Sequence, residues 1–479
     1  MKLNDLKNLN VHIVGISGVE GKCLALFLIK LGCKNLTGHD FSNKKIEPKI
    51  ADHFKIIHAR SDYLINISEA DLILAPSSWF RYAKNSSLKN FKKNQIFWTW
   101  YNLLLEFYPG ILIGVTGTAG KGTTVNLIYS ILKSAKKAVW KIGDSWQNFD
   151  LLKILKSNKK SFVVAEISNR TLTFAKYSKK SPQIAVITNI TKNHLDDHQG
   201  SFAKYISVKK EIAKYQNNDD YLVLNSSDRQ SIKLKNFNKS KKVLYSNKST
   251  EASLIKNRNI FGRHLKADAV AAIKAAKILK IKKSAIVIGL NKFQPREGRM
   301  QLIKSINGIQ FINDAACSRP EAAIEAIKSF KKGKVRLILE GYRYKPDKLQ
   351  FLKLIKTIDE YQVKSVAISG KITNFLIPLF NKSSTFSAPI PVLEIPRRKI
   401  IRFHGHATHN GAGWKVLDKA KAEVIISKNL SESIKKTSAK SKKGDVVLLS
   451  PSCESFGEFK DYRERIKLFN KVVGGLRYK

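Results

Sequence analysis

A chain of 479 residues is too long for a single hydrophobic core, so two to four domains follow from size alone, and 43% hydrophobic residues suffice to fill them. Four scattered cysteines (Cys23, Cys33, Cys317, Cys453) with no C-x-x-C pairing fit a reducing cytoplasm better than a disulfide scaffold. The formal charge of +50 is spread over the whole chain as lysine pairs such as Lys44–Lys45 and Lys442–Lys443, without an arginine-rich arm or zinc module, which argues against a specific nucleic-acid reader and for a lysine-rich solvated surface.

The start, MKLNDLKNLNVHIVG, runs straight into a strand pattern without a signal-peptide core. The strand at 11–14 meets Gly15, Gly18 and Gly21, a helical pattern follows, and a second strand ends at Asp40. This is a Rossmann-like opening, although G-x-x-G-x-x-G does not by itself separate a dinucleotide from a nucleotide-sugar. A further strand, ADLILAPSS (70–78), precedes an end near Tyr108, leaving room for half a dinucleotide fold, enough for a nucleoside diphosphate. The apolar stretch 97–115 is broken by Glu106, Pro109 and Gly110, and reads as a helix and a buried strand, with no transmembrane segment.

Next comes GVTGTAGKGTTV (114–125), between the apolar runs ILIGV (111–115) and VNLIYSIL (125–132). Strand, glycine loop and helix in that order turn backbone N–H groups and a helix N-terminus toward a phosphate, and Lys121 reaches the outer phosphates. A mononucleotide such as ATP is the expected occupant. Gly122 stands where a hydroxyl commonly helps hold Mg²⁺, with Thr123 and Thr124 as the nearest substitutes. Strands at 161–168, 183–191 and 221–225 extend this segment into a parallel sheet covered on both faces. Glu166, at a strand end, is placed to ligate or orient Mg²⁺. His194 follows the next strand and Lys209 lies on the succeeding helix; alone, His194 is as readily a structural histidine. The remainder repeats the alternation, with strands at 310–314, 335–340, 363–369 and 445–450 and a helix over PEAAIEAIKSF.

The segments TGTAGKGTT, NHLDDHQGSFAKYISVKKEI, GRHLKADAVAAIKAA, GRMQLIKSINGIQFINDAA and VVLLSPSCESFGEFKDYRERIKLF stand in the order and spacing of the Mur ligases, which the chain resembles in motifs that together span all three of its segments. Within that family the likeness is nearest to the ligases adding D-glutamate to UDP-N-acetylmuramoyl-L-alanine. The resemblance implies an α/β protein of three domains: a Rossmann-like UDP-substrate domain (1–108), a central ATP-binding domain built on the phosphate loop and a parallel sheet (109–298), and a Rossmann-like amino-acid domain (299–479), with a hinge near FQPREGR (293–299). It implies a cytoplasmic, monomeric enzyme of peptidoglycan precursor synthesis. Such an enzyme phosphorylates a carboxylate with ATP and two Mg²⁺ ions, and the amine of glutamate then displaces phosphate.

Residue by residue, the likeness assigns the nucleotide to Gly117, Thr118, Ala119, Gly120, Lys121, Gly122, Thr123 and Thr124, with Arg299 and Asp314. Metal falls to Thr123, Glu166, His194 and a carbamylated Lys209, the last three acting in catalysis with Lys121. Gly18, Val19, Glu20 and Asp40 match the uridine-nucleotide end, and Ser455, Phe456 and Tyr462 the amino-acid pocket. The departures are Asp144, Leu265 and Asp268 for usual asparagines, EISNRTL (166–172) for a usual E-x-S-S-F-Q-L, Gly298 for a usual histidine, and Ala316 for a lysine that Arg319, Arg343 or Lys345 would have to replace. A related ligase adding L-glutamate or another amino acid, and a noncatalytic nucleotide- or nucleic-acid-binding relative, remain as alternatives. RFHGHATHNGAGW (402–414), with His404, His406 and His409, has no counterpart in the family pattern and reads as a metal cluster or a substrate-facing loop.

Overall fold

The structure, a computed structural model, describes residues 1–42, 44–58, 62–90, 94–143, 150–192, 195–257, 259–343, 346–382 and 422–476. Asp144, His194, Lys345 and the three histidines of 402–414 lie outside them. The chain divides into two compact units, residues 1–260 with 264–293, and residues 261–263 with 294–479.

The first unit contains two parallel sheets. One is formed by β1 (Val11–Val14), β2 (Leu36–Asp40), β3 (Lys55–His58), β4 (Leu72–Leu74) and β5 (Ile96–Trp98) in the order β3-β2-β1-β4-β5. The other is formed by β6 (Ile111–Thr116), β7 (Val139–Ile142), β8 (Phe162–Glu166), β9 (Ile184–Ile187), β10 (Tyr221–Asn225) and β11 (Lys241–Tyr245) in the order β11-β10-β9-β6-β8-β7. Buried Val, Ile and Leu on both faces of the inner strands, such as Val163, Val164, Val186 and Ile187, explain why they read as continuous apolar runs. The stretch 97–115 holds the end of β5, the helix Trp100–Phe107 and β6, one strand more than its pattern suggested. β5 was hidden because it is three residues long.

The second unit has a single sheet of β12 (Gln301–Ile306), β13 (Ile309–Asn313), β14 (Val335–Glu340), β15 (Ser365–Ser369), β16 (Glu423–Ile426) and β17 (Val446–Ser452), ordered β12-β13-β17-β14-β15-β16. All neighbours are parallel except the β12–β13 hairpin. Two apolar layers, one around Leu337 and Phe351 and the other around Val447 and Phe469, cover its faces. The fold is thus of the expected α/β class, built on parallel sheets. Among the described residues no helix is long and apolar enough to cross a membrane, and the four cysteines are free thiols.

Candidate active site

In open parallel sheets, ligands bind outside the carboxyl ends of the strands where the strand order reverses. In the second sheet that point is β6, whose neighbours β8 and β9 lead to opposite edges. The loop after β6 needs its glycines. Gly117 has φ +150°, and a Cβ there would lie 1.9 Å from Thr188 Oγ1. Gly120 has φ +82°, and a Cβ would lie 2.4 Å from Asp268 Oδ1. The helix Lys121–Ser134 starts immediately after it.

The segment after β9 clamps the loop from outside. Thr118 N donates to Asn189 O at 2.8 Å and Ala119 N to Asn189 Oδ1 at 3.0 Å, while Thr188 Oγ1 donates to Ala119 O at 2.6 Å. Tyr205 Oη and Thr118 Oγ1 are 3.0 Å apart. Thr188, Asn189 and Tyr205 therefore shape the loop, and sequence reasoning missed them because they touch it rather than belong to its motif.

Lys121 folds back on its own loop, its Nζ donating to the carbonyls of Gly117 and Thr118 at 3.2 Å each and lying 4.0 Å from Glu166 Oε1. Glu166 closes β8, so a carboxylate and a cation face each other across the strand ends. Thr123 is one half-turn into the helix, and Thr124 is buried. Lys209, on the helix Phe202–Lys210, is 1% exposed and reaches beneath the loop, where Nζ donates to Thr116 Oγ1 at 3.0 Å and Gly117 O at 3.1 Å. Burial first, then Lys121, holds its pKa well below the usual lysine value, against the opposing pull of Glu166. Four of the sequence-assigned groups, Gly117, Lys121, Glu166 and Lys209, are thus brought together. Asp268, on the helix Gly262–Ile278, joins them: burial drives its carboxyl well above the usual range, against Thr124 and Lys121.

The first sheet carries the other predicted nucleotide end at its own switch point between β1 and β4. Gly15 adopts φ +71°, and a Cβ on Gly21 would lie 2.2 Å from Gly15 O, so the helix Val19–Leu31 approaches β1 closely. Asp40 takes Ser17 N at 2.9 Å and Ser42 N at 2.8 Å, and Glu20 takes Ser77 N at 2.8 Å and Ser77 Oγ at 2.9 Å. Burial raises the Glu20 pKa against those bonds; at Asp40 the serine bonds outweigh burial and lower it. Both carboxylates hold the crevice loops together, leaving Gly18 and the exposed Val19 on its rim.

In the second unit Asp314 follows β13, accepting Ser450 Oγ at 2.8 Å and Met300 N at 3.2 Å, and burial pushes it up to about 6 against Ser450 and Arg299. A Cβ at Gly298 would lie 2.4 Å from Ile466 Cδ1 at φ +67°, so a histidine there would strain the backbone and push Ile466 aside. Arg343 Nη1 donates to Ser318 O at 2.9 Å, which brings one of the three candidate cations to the segment that carries Ala316. Ser455 is buried, whereas Phe456 and Tyr462 are exposed. Beneath them Arg465 and Glu340 form a buried pair at 2.9 Å, with Arg465 also bonding the carbonyls of Ala315 and Cys453.

Residues able to hold a nucleotide and a divalent ion are therefore present: glycines a side chain would displace, a helix N-terminus, a lysine and a strand-end carboxylate. Residues 115–286 match the Mur ligase middle domain. The chain is 27% identical over 493 residues to a UDP-N-acetylmuramoylalanine--D-glutamate ligase of Clostridium botulinum, covering 98% of each. It is 29% identical over 509 residues to the enzyme of the same name from Acetivibrio thermocellus, covering 99% of each. Among solved structures it superposes on the MurF ligase of Thermotoga maritima in complex with ADP with TM-score 0.54 at 14% identity, over 97% of this chain and 95% of that one.

Proposed function

We propose that this chain, whose residues 115–286 match the Mur ligase middle domain, is an ATP- and Mg²⁺-dependent acid–amino-acid ligase that joins D-glutamate to UDP-N-acetylmuramoyl-L-alanine through an acyl phosphate. The observation that carries this reading is the convergence of Lys121, Glu166 and the buried Lys209 on one phosphate loop. The D-glutamate choice leans on the likeness to ligases of that name and on Ser455, whose hydroxyl stands beside Phe456 in the loop after β17.

The chemistry must bring two anions together, a substrate carboxylate and the γ-phosphate of ATP. The loop N–H groups and Lys121 would bind the transferring phosphoryl group and spread its charge. Thr123, Glu166 and Lys209, with His194, would hold Mg²⁺, which supplies charge neutralisation at the phosphate oxygens. Lys209 suits an oxygen-preferring ion only as a carbamate, formed when its neutral amine adds CO₂ and releases a proton. Burial favours that neutral amine, and Thr116 Oγ1 and Gly117 O fix its position. Thr116 in turn donates to Ile167 O at 2.7 Å, tying the lysine's partner to the residue after Glu166. The incoming amine then attacks the acyl phosphate carbon, the tetrahedral adduct expels phosphate, and the ammonium proton is lost.

In this reading the three sheets act as three domains, binding the uridine nucleotide, ATP and the amino acid in turn, with Arg299 and Asp314 contributing to the nucleotide side. The test is phosphate release with UDP-N-acetylmuramoyl-L-alanine and D-glutamate, L-glutamate or L-lysine. A preference for L-glutamate of tenfold or more, about 1.4 kcal/mol in transition-state binding, would overturn the D-glutamate choice and leave the ligase reading standing.

A further inference from the structure

The second unit contains a cavity of about 650 Å³ at the carboxyl ends of β14, β15 and β16, lined among others by Glu340, Lys371, Thr373, Ser427, Lys428 and Phe456. Two helix N-termini converge on it. The helix Thr373–Lys382 begins two residues after Lys371, and the helix Leu430–Ala439, capped by Asn429, begins two residues after Lys428. Each terminus presents a positive dipole end, and each is preceded by a lysine. Ser427 is 8% exposed, and its hydroxyl has no hydrogen-bond partner among the described residues.

Two carboxyl groups also line the cavity. Glu340 pairs through Oε2 with Arg465, while its Oε1 has no hydrogen-bond partner among the described residues, and Glu458 Oε1 accepts Leu430 N at 3.3 Å. Lys371 makes no ion pair among the described residues. Its Nζ sits 5.6 Å from the centre of the Tyr342 ring, and Gly457 (φ +110°) runs so close that a Cβ there would lie 4.0 Å from Lys371 Cδ. Tyr342 is itself bonded to Glu454 through both backbone groups, at 3.0 and 3.1 Å. Lys371 is therefore set against the loop 454–457, which carries Ser455 and Phe456. A Cβ at Gly341 (φ +119°) would lie 2.2 Å from Glu454 O, so the approach of these segments requires the glycine.

We propose that Lys371, assisted by Lys428 and the two helix N-termini, receives the side-chain carboxylate of the incoming amino acid and so sets the preference for a dicarboxylic substrate. This rests on the ligase reading above and adds to it a specific cation. Two cations and two helix N-termini would hold a carboxylate with charge-assisted bonds, and an amino acid with a neutral side chain would leave them unmatched.

Phosphate release is measured against glutamate and glutamine for the full chain and for K371M, K371R and K428M. The expected result is a KM for glutamate raised about tenfold or more in K371M, with kcat and the KM for ATP near those of the parent. The glutamate-to-glutamine ratio of kcat/KM falls, K371R restores most of the loss, and K428M shows a smaller effect of the same kind. An unchanged KM for glutamate and an unchanged ratio in both methionine variants, in an enzyme that selects glutamate, would overturn the role of Lys371 and leave the ligase reading intact. A parent enzyme that prefers an amino acid without a side-chain carboxylate would overturn this inference together with the glutamate assignment.

Discussion

Lys209 Nζ lies 3.0 Å from Thr116 Oγ1, so a side chain from the helix Phe202–Lys210 ends at the carboxyl tip of the strand that launches the phosphate loop. This buried lysine is bonded to a threonine hydroxyl and a carbonyl and makes no ion pair among the described residues. It makes physical sense as a group waiting for chemistry. Lys209→Ala is expected to lower turnover about 100-fold or more, the scale seen on removing a preorganised charge from a reaction site, and a short carboxylic acid should restore part of it. Lys210, the neighbour whose Nζ lies 5.4 Å from the Phe237 ring, is the comparison. Equal and mild effects of alanine at both positions, read as phosphate release, would remove Lys209 from the machinery.

Asp268 is buried against Gly120, and its carboxyl is driven well above the usual range by that burial. A raised carboxylate pKa means that the folded state prefers the proton. The stability it contributes is full below the ordinary carboxylate value and is lost as pH rises through the folded one. Asp268→Asn keeps the shape and removes the titration, so the variant should gain melting temperature over the parent at pH 8 and much less at pH 5. Equal gains at both values would show that Asp268 does not titrate in this way.

His39 and His12 form a buried chain. His39 Nδ1 is 2.7 Å from Tyr63 O and must donate to it, which leaves His39 Nε2 to accept from His12 Nδ1 at 2.9 Å. Burial first, then His39 and Lys55, pushes His12 down to about 4 against Asp71, and burial lowers His39 against the Tyr63 carbonyl. Neutral rings therefore stabilise the fold fully above the ordinary histidine value of 6.5, and that contribution fades as pH falls toward 4. Thermal melting between pH 7 and 4.5 should show this loss, with a flatter slope in His12→Leu. A variant as acid-sensitive as the parent would contradict it.

The Glu340–Arg465 pair is 0% and 1% exposed. Removing one member of such a pair leaves a buried charge uncompensated, so Arg465→Met should cost about 3–5 kcal/mol. Chemical denaturation measures it. Burial pushes Glu340 up to about 7 despite Arg465, so the loss should be smaller at pH 5, where the orphaned carboxyl takes up a proton, than at pH 8.

The strands β6, β8, β9, β10, β14 and β17 were legible because both faces are buried and their apolar runs are continuous. β7 escaped because Trp140 and Lys141 are only partly buried or exposed, and β11 because its run KKVLY is mostly half-exposed. The loop glycines and Lys121 were legible because they follow a strand end directly and Glu166 because it closes an apolar strand, whereas Lys209 was reached only through the family likeness. Lys371 and Lys428 were not: each is one lysine among many, and only the parallel order β14-β15-β16 places both at one edge. Asp40 and Glu20 were read as positions, but two of the serines that occupy their oxygens, Ser17 and Ser77, come from 23 and 57 residues away.

The central claim is that the phosphate loop activates a substrate carboxylate as an acyl phosphate, and one isotope experiment meets it directly. UDP-N-acetylmuramoyl-L-alanine labelled with ¹⁸O in the alanyl carboxylate is turned over with ATP, Mg²⁺ and D-glutamate, and the released phosphate is analysed by mass. Transfer of one ¹⁸O from the carboxylate into each phosphate is the predicted result, since the oxygen that took the phosphoryl group leaves with it. Phosphate free of label, with amide still formed, would contradict the account.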